Sequence, residues 1–153
     1  MKTFLLSLAL TALPAMSMAD DIMLRWSEDP THVFAGDEVD LDALRWQLRA
    51  ILVFADSPND PLFGQQMELL LAAAEDLAER DVIMIADTAP DARTDVRLRL
   101  RPRGFMLALL GKDGQVKFRK PIPWDVREIS RTIDKMPLRQ QEIRDRRLQN
   151  QAG

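Results

Sequence analysis

The sequence predicts an α/β domain, a mixed sheet of about four to five strands flanked by helices and followed by a charged C-terminal helix. Three observations carry that prediction. "RAILVFA" (Arg49 to Ala55) and "DVIMIAD" (Asp81 to Asp87) are continuous apolar runs, as strands buried on both faces require. Between them, "LFGQQMELLLAAAEDLAER" (Leu62 to Arg80) spaces Met67, Leu70, Leu71, Ala74 and Leu77 at helical intervals. After them, "GFMLALLGKDGQVKFRK" (Gly104 to Lys120) reads as two strands joined by a tight turn, because Asp113-Gly114 supplies the positive φ that such a turn demands.

The remaining elements follow in chain order. Lys2, the apolar run Phe4 to Leu13, the break at Pro14 and the small residues Ser17 and Ala19 have the layout of a secretory signal over residues 1–19. The run is too short to span a bilayer comfortably, so cleavage after Ala19 is expected, with no membrane-spanning segment afterwards. Residues 20–44 form an acidic arm interrupted by Pro30 and Gly36, with at most a short strand or a turn of helix. "DSPNDP" (Asp56 to Pro61) consists of turn formers, and Asp60 can cap a helix that has Pro61 at its first position.

"TAPDARTDVRLRLRPR" (Thr88 to Arg103) supports two assignments. Val96, Leu98 and Leu100 alternate as in a strand, yet Thr94 can equally cap a short helix. Pro121 and Pro123 end the hairpin. "WDVREISRTIDKM" (Trp124 to Met136) then forms an amphipathic helix with Val126, Ile129, Ile133 and Met136 inward. Pro137 breaks it, and a loosely packed charged helix and tail occupy 138–153. Two parallel strands joined through a helix, then an antiparallel pair and a covering helix, make residues 45–137 a thioredoxin-like sandwich.

Composition narrows the chemistry. A net charge of −3 argues against nucleic acid as a partner. The sequence holds no cysteine, so dithiol exchange and peroxidatic thiol chemistry have no thiolate to use, and the core must hold without disulfides. His32 is the single histidine and sits in the acidic arm without ordered carboxylate spacing, which implies neither a metal nor a Ser–His–Asp triad. No cofactor is implied.

Two constellations remain. Asp56, Ser57, Asn59 and Asp60 cluster where open α/β sheets place their ligands, although turn chemistry and a helix cap account for all four. Arg97, Arg99, Arg101 and Arg103 alternate; in a strand they would line one face and attract an anion or acidic partner, and in a helix they would scatter.

Four fragments resemble the domain-of-unknown-function family DUF4174: "RWQLRAILVFADSPNDP" (Arg45 to Pro61), "ERDVIMI" (Glu79 to Ile85), "GFMLALLGKDGQVKFR" (Gly104 to Arg119) and "IDKMPLRQQEI" (Ile133 to Ile143). The resemblance implies a thioredoxin-like fold and an extracytoplasmic location, periplasmic or secreted, and no established activity. Against thioredoxins proper, "ADSPNDP" stands where the redox cysteines belong, and Met106 stands where a proline precedes the strand of the hairpin.

The expectation is an exported, non-redox binding or interaction module of the cell envelope, its partner an unknown protein or envelope component. Its candidate loop residues are Asp56, Ser57, Asn59, Asp60, Arg103, Met106 and Lys112. The alternative is an enzyme that uses the Asp56–Asp60 loop with an arginine or Lys112. If Lys112 is solvated, Lys112→Ala should barely change stability.

Overall fold

The computed structural model describes residues 17–152, so the expected signal segment lies outside the described residues apart from its last three positions. The elements are α1 (Met18–Glu28), β1 (Val33–Ala35), β2 (Arg49–Phe54), α2 (Pro61–Ala72), α3 (Ala74–Ala78), β3 (Val82–Asp87), α4 (Asp95–Leu100), β4 (Met106–Leu110), β5 (Val116–Lys120), α5 (Val126–Asp134) and α6 (Pro137–Ala152). The five strands lie in the order β1-β3-β2-β4-β5. β1 and β2 run parallel to β3, whereas β4 runs antiparallel to β2 and β5 antiparallel to β4. This is the thioredoxin-like sandwich.

Every residue of β2 is buried, which is why its sequence does not alternate. Ala50, Leu52 and Phe54 enter one cluster with Ile22 of α1, Leu44 and Leu48 before β2, and Val96 and Leu100 of α4. Ile51 and Val53 enter the opposite cluster with Leu70, Leu77, Ile129 and Ile133 of α2, α3 and α5. The strand period of two thus divides the core into halves that share only the sheet.

Two elements depart from the sequence reading, and a third settles a choice it left open. The acidic stretch after residue 19 holds more than the expected short strand or turn of helix: α1 buries Ile22 and its Trp26 indole N–H donates to the Val82 carbonyl at 3.3 Å, and β1 pairs with β3 as an edge strand. The helix expected over Leu62–Arg80 breaks at Ala73, whose φ of −125° leaves helical space and separates α2 from α3. Of the two assignments open for Thr88 to Arg103, residues 95–100 take the helix. The Thr94 hydroxyl accepts from the Arg97 N–H at 3.2 Å, and Arg101 ends the helix with a left-handed φ of 50°.

The hairpin forms at the expected place, with Lys112, Asp113 and Gly114 as its loop. The Gly114 N–H donates to the Gly111 carbonyl at 2.9 Å and the Gly111 N–H to the Gln115 carbonyl at 3.0 Å. Gly114 alone takes positive φ, +77°. This is a turn followed by a glycine bulge, with the positive φ at Gly114 and not at Asp113. The Asp113 carboxylate completes it by accepting from the Gln115 N–H at 3.0 Å.

A buried amide fixes the approach to α5. Gln66 donates to the Trp124 carbonyl at 3.1 Å and accepts from the Trp124 N–H at 2.7 Å. Both ends of the side chain are therefore satisfied inside the protein, as burial of an amide requires.

Candidate functional site

The carboxyl ends of β2 and β3 lie side by side, because Phe54 pairs with Asp87. Here the structure buries an ion pair. Arg97 of α4 is 8 % exposed and Asp87 5 %. The guanidinium donates to Asp87 Oδ1 from Nε at 3.1 Å and from Nη2 at 2.9 Å, and Nη2 also reaches the Ala55 carbonyl at 2.9 Å. The Thr94 hydroxyl donates to the other Asp87 oxygen. Phe54 lies beneath the guanidinium, 5.5 Å from ring centroid to Cζ. Gly36 lies against the same carboxylate; a Cβ there would come within 2.8 Å of Asp87 Oδ2. Arg97 is thus spent inside the fold, where it closes the end of the sheet.

The loop over this plug is occupied with its own geometry. The Asn59 N–H donates to Ser57 Oγ at 3.1 Å, the Asp60 N–H to the Ser57 carbonyl at 3.2 Å, and the Leu62 N–H to Asp60 Oδ1 at 2.8 Å. Asp60 is therefore the cap of α2. Asp56 is exposed, with its nearest cationic partner, Arg97 Nη1, at 3.8 Å. No group of three or more His, Asp or Glu side chains is placed to hold a metal ion among the described residues. His32 is exposed and packs edge-on against Phe34, with ring centroids 4.7 Å apart.

The four arginines scatter, as a helix dictates. Arg97 is buried, and Arg99 pairs with Asp42 at 2.9 Å. Arg101 caps α4 and Arg103 projects from the link to β4. These last two line a shallow cleft of about 240 Å³ with Phe105, Met106, Arg119, Lys120 and Pro121. Arg103 and Met106 therefore share a site, at the same end of the sheet as Asp56–Asp60, since Met106 pairs with Phe54. Sequence reading missed Arg119 and Lys120. Their only signal was the hairpin register, which sets them opposite Ala108 and Leu107 near the start of β4.

Lys112 does not join them. It follows Leu110, which pairs with Ala50 at the other end of the sheet. Its side chain is only 11 % exposed and bonds to Asp81 Oδ2 at 2.8 Å and Glu142 Oε1 at 2.9 Å. Glu142 of α6 also takes Arg49 Nη2 at 3.1 Å, and Arg139 Nη1 lies 3.5 Å from its second oxygen. Arg80 grips Asp134 with two bonds of 3.0 and 2.9 Å. Burial works to raise the Glu142 carboxyl, but hydrogen bonds from Lys112 and Arg49 together outweigh it and hold the group below the ordinary glutamate range. Asp134 is held low in the same way against its burial, by Arg80 and Arg139. The C-terminal helix, read from sequence as loosely packed, is fastened by ions.

No helix among the described residues is long and apolar enough to cross a membrane. The family model described as a domain of unknown function (DUF4174) matches residues 40–142, and the chain belongs to that family.

Proposed function

We propose that this DUF4174 protein is an exported, non-redox thioredoxin-like module that acts in the cell envelope by binding. The observation that carries the reading is the state of the sheet's carboxyl end. The Arg97–Asp87 pair fills the space beneath the loop, and Asp60 is committed as a helix cap. The adjoining cleft remains open and cationic. Such an end offers a surface for recognition and lacks a thiol for exchange. The leader-like residues 1–19 support export, with Asp20 as the first residue of the mature chain.

The test is expression of the tagged chain in its own host, with fractionation, intact mass and crosslinked capture from the envelope. The expected result is an exported species beginning at Asp20 that retains a specific partner. A species retaining Met1 in the membrane fraction, or robust thiol-independent peroxidase turnover by the purified protein, would overturn the reading.

A further inference from the structure

The cleft beside Met106 is built from two segments that the fold brings together. Arg101 and Arg103 come from the link between α4 and β4, a link turned by two left-handed residues, Arg101 (φ 50°) and Gly104 (φ 62°). Arg119 and Lys120 come from the last two positions of β5. Arg119 Nη1 donates to the Leu100 carbonyl and lies 3.8 Å from Met106 Sδ, which fixes the guanidinium at the cleft wall. Lys120 Nζ stands 4.3 Å from the Trp124 ring centroid, and Trp124 is itself braced edge-on by Phe118. Two of the four cations are therefore pre-positioned before anything binds.

No carboxylate lines this cleft. Among the described residues, none of Arg101, Arg103, Arg119 and Lys120 makes an ion pair. The contrast with the rest of the molecule is sharp: where cations converge at the other end of the sheet, Glu142, Asp81 and Asp134 stand between them. A chain with a net charge of −3 has acidic residues to spare, yet leaves this concentration of positive charge uncompensated.

We propose that the cleft binds a phosphate group, held by the Arg101 and Arg103 forks and by the fixed charges of Arg119 and Lys120. The inference rests on the binding-module reading and supplies its ligand class. Guanidinium forks match a tetrahedral oxyanion with paired N–H donors. A volume of about 240 Å³ has room for one such group and a short piece of its carrier. Phe105, Met106 and Pro121 give that carrier an apolar wall. Ile122, the next residue after Pro121, is 61 % exposed, which suits a headgroup at a lipid surface as well as a free phosphate ester.

The experiment titrates the full chain with glycerol 3-phosphate, followed by NMR shifts of the Arg101, Arg103 and Lys120 amides. Beside it, co-sedimentation is measured with phosphatidylglycerol vesicles and with phosphatidylcholine vesicles. The expected result is saturable binding in at least one arm. Saturation by the soluble ester assigns a free phosphate source; binding confined to the anionic vesicles assigns a headgroup. Arg101→Gln and Arg103→Gln should each weaken binding about tenfold, as loss of a charge-assisted hydrogen bond implies. Arg127→Gln, an exposed arginine on α5, should leave it unchanged.

The proposal is overturned if neither probe binds, if Arg127→Gln weakens binding as much as the cleft variants, or if an acidic peptide outcompetes the ester. If the cleft variants abolish phosphate binding while envelope capture persists undiminished, the module acts through another surface and the cleft is not its site. If phosphate binds but the chain is not exported, the cleft stands and the envelope reading falls.

Discussion

Arg97 and Asp87 bind each other with geometry that makes either one costly to lose alone. Arg97→Ala would strand the Asp87 carboxylate and the Ala55 carbonyl in a site where Arg97 is 8 % exposed. The expected loss is about 3–5 kcal/mol, the range for breaking a buried pair on one side, measured by urea unfolding. The double variant Arg97→Met with Asp87→Leu should cost clearly less than the sum of the single changes, because it leaves no buried charge unpaired. Strict additivity would show that the pair is not coupled. Little of this was legible in the sequence. Asp87 stood only at the end of an apolar run, and Arg97 looked like one member of an alternating set. The useful signal was Thr94: once it caps a helix, Val96 and Leu100 face inward and Arg97 turns toward the sheet.

The hairpin and α6 set the next predictions at the scale of elements. Gly114 holds φ +77°, and a Cβ there would meet Arg45 Cγ at 3.2 Å. Gly114→Val should therefore cost about 1–3 kcal/mol in equilibrium unfolding, since a β-branched residue resists that backbone region. An unchanged melting temperature would mean that another contact sets the sheet register.

Lys112→Ala reverses the sequence expectation. With its ammonium between Asp81 and Glu142, its removal should cost about 1–3 kcal/mol and raise hydrogen exchange in α6 first. Near-neutral stability would show that the network contributes nothing. The same network sets a pH dependence. The folded pKa values of Glu142 and Asp134 are depressed, so their contribution is complete above the unfolded carboxylate range, about 3.9–4.3. It is lost as pH falls through the lower folded values. Stability should be flat from about pH 7 to 5 in this respect and decline below about pH 4; a decline beginning at neutral pH would contradict it. Element types were readable wherever apolar spacing was strong. The attachment of α6 was not, because its mostly polar face is held by charges whose partners, Arg49, Lys112 and Asp81, are distant in the chain.

For the whole molecule, the order of elements after Arg45 was enough to reach the sandwich, since few topologies join a parallel pair through a helix and close with a hairpin. What the order did not carry was the edge strand β1, only three residues long, which is recognisable as a strand through its pairing with β3. Nor did it reveal that the candidate residues divide between two ends of the sheet. Redox behaviour is fixed at this scale as well. The purified protein should fail to reduce insulin disulfides, and introducing a cysteine pair around Ser57 should form a disulfide without efficient turnover. A cysteine-substituted form matching a dithiol oxidoreductase would show that the Arg97–Asp87 plug does not disable the end of the sheet.

Trp46 gives the molecule a built-in optical gauge. It is 63 % exposed, and it shares a cleft with Met136, Pro137 and Leu138, where α5 hands over to α6. Its backbone N–H donates to the Lys112 carbonyl at 2.6 Å, so the residue is tethered beside the ion pairs that hold the last helix. Trp26 and Trp124 pack against the two core halves and answer to the sandwich instead. In a variant carrying Trp26→Phe and Trp124→Phe, emission should come from Trp46 alone. Release of α6 in acid would then shift that emission while far-ultraviolet circular dichroism still reports an intact sheet, giving a spectroscopic separation between loosening the last helix and unfolding the protein.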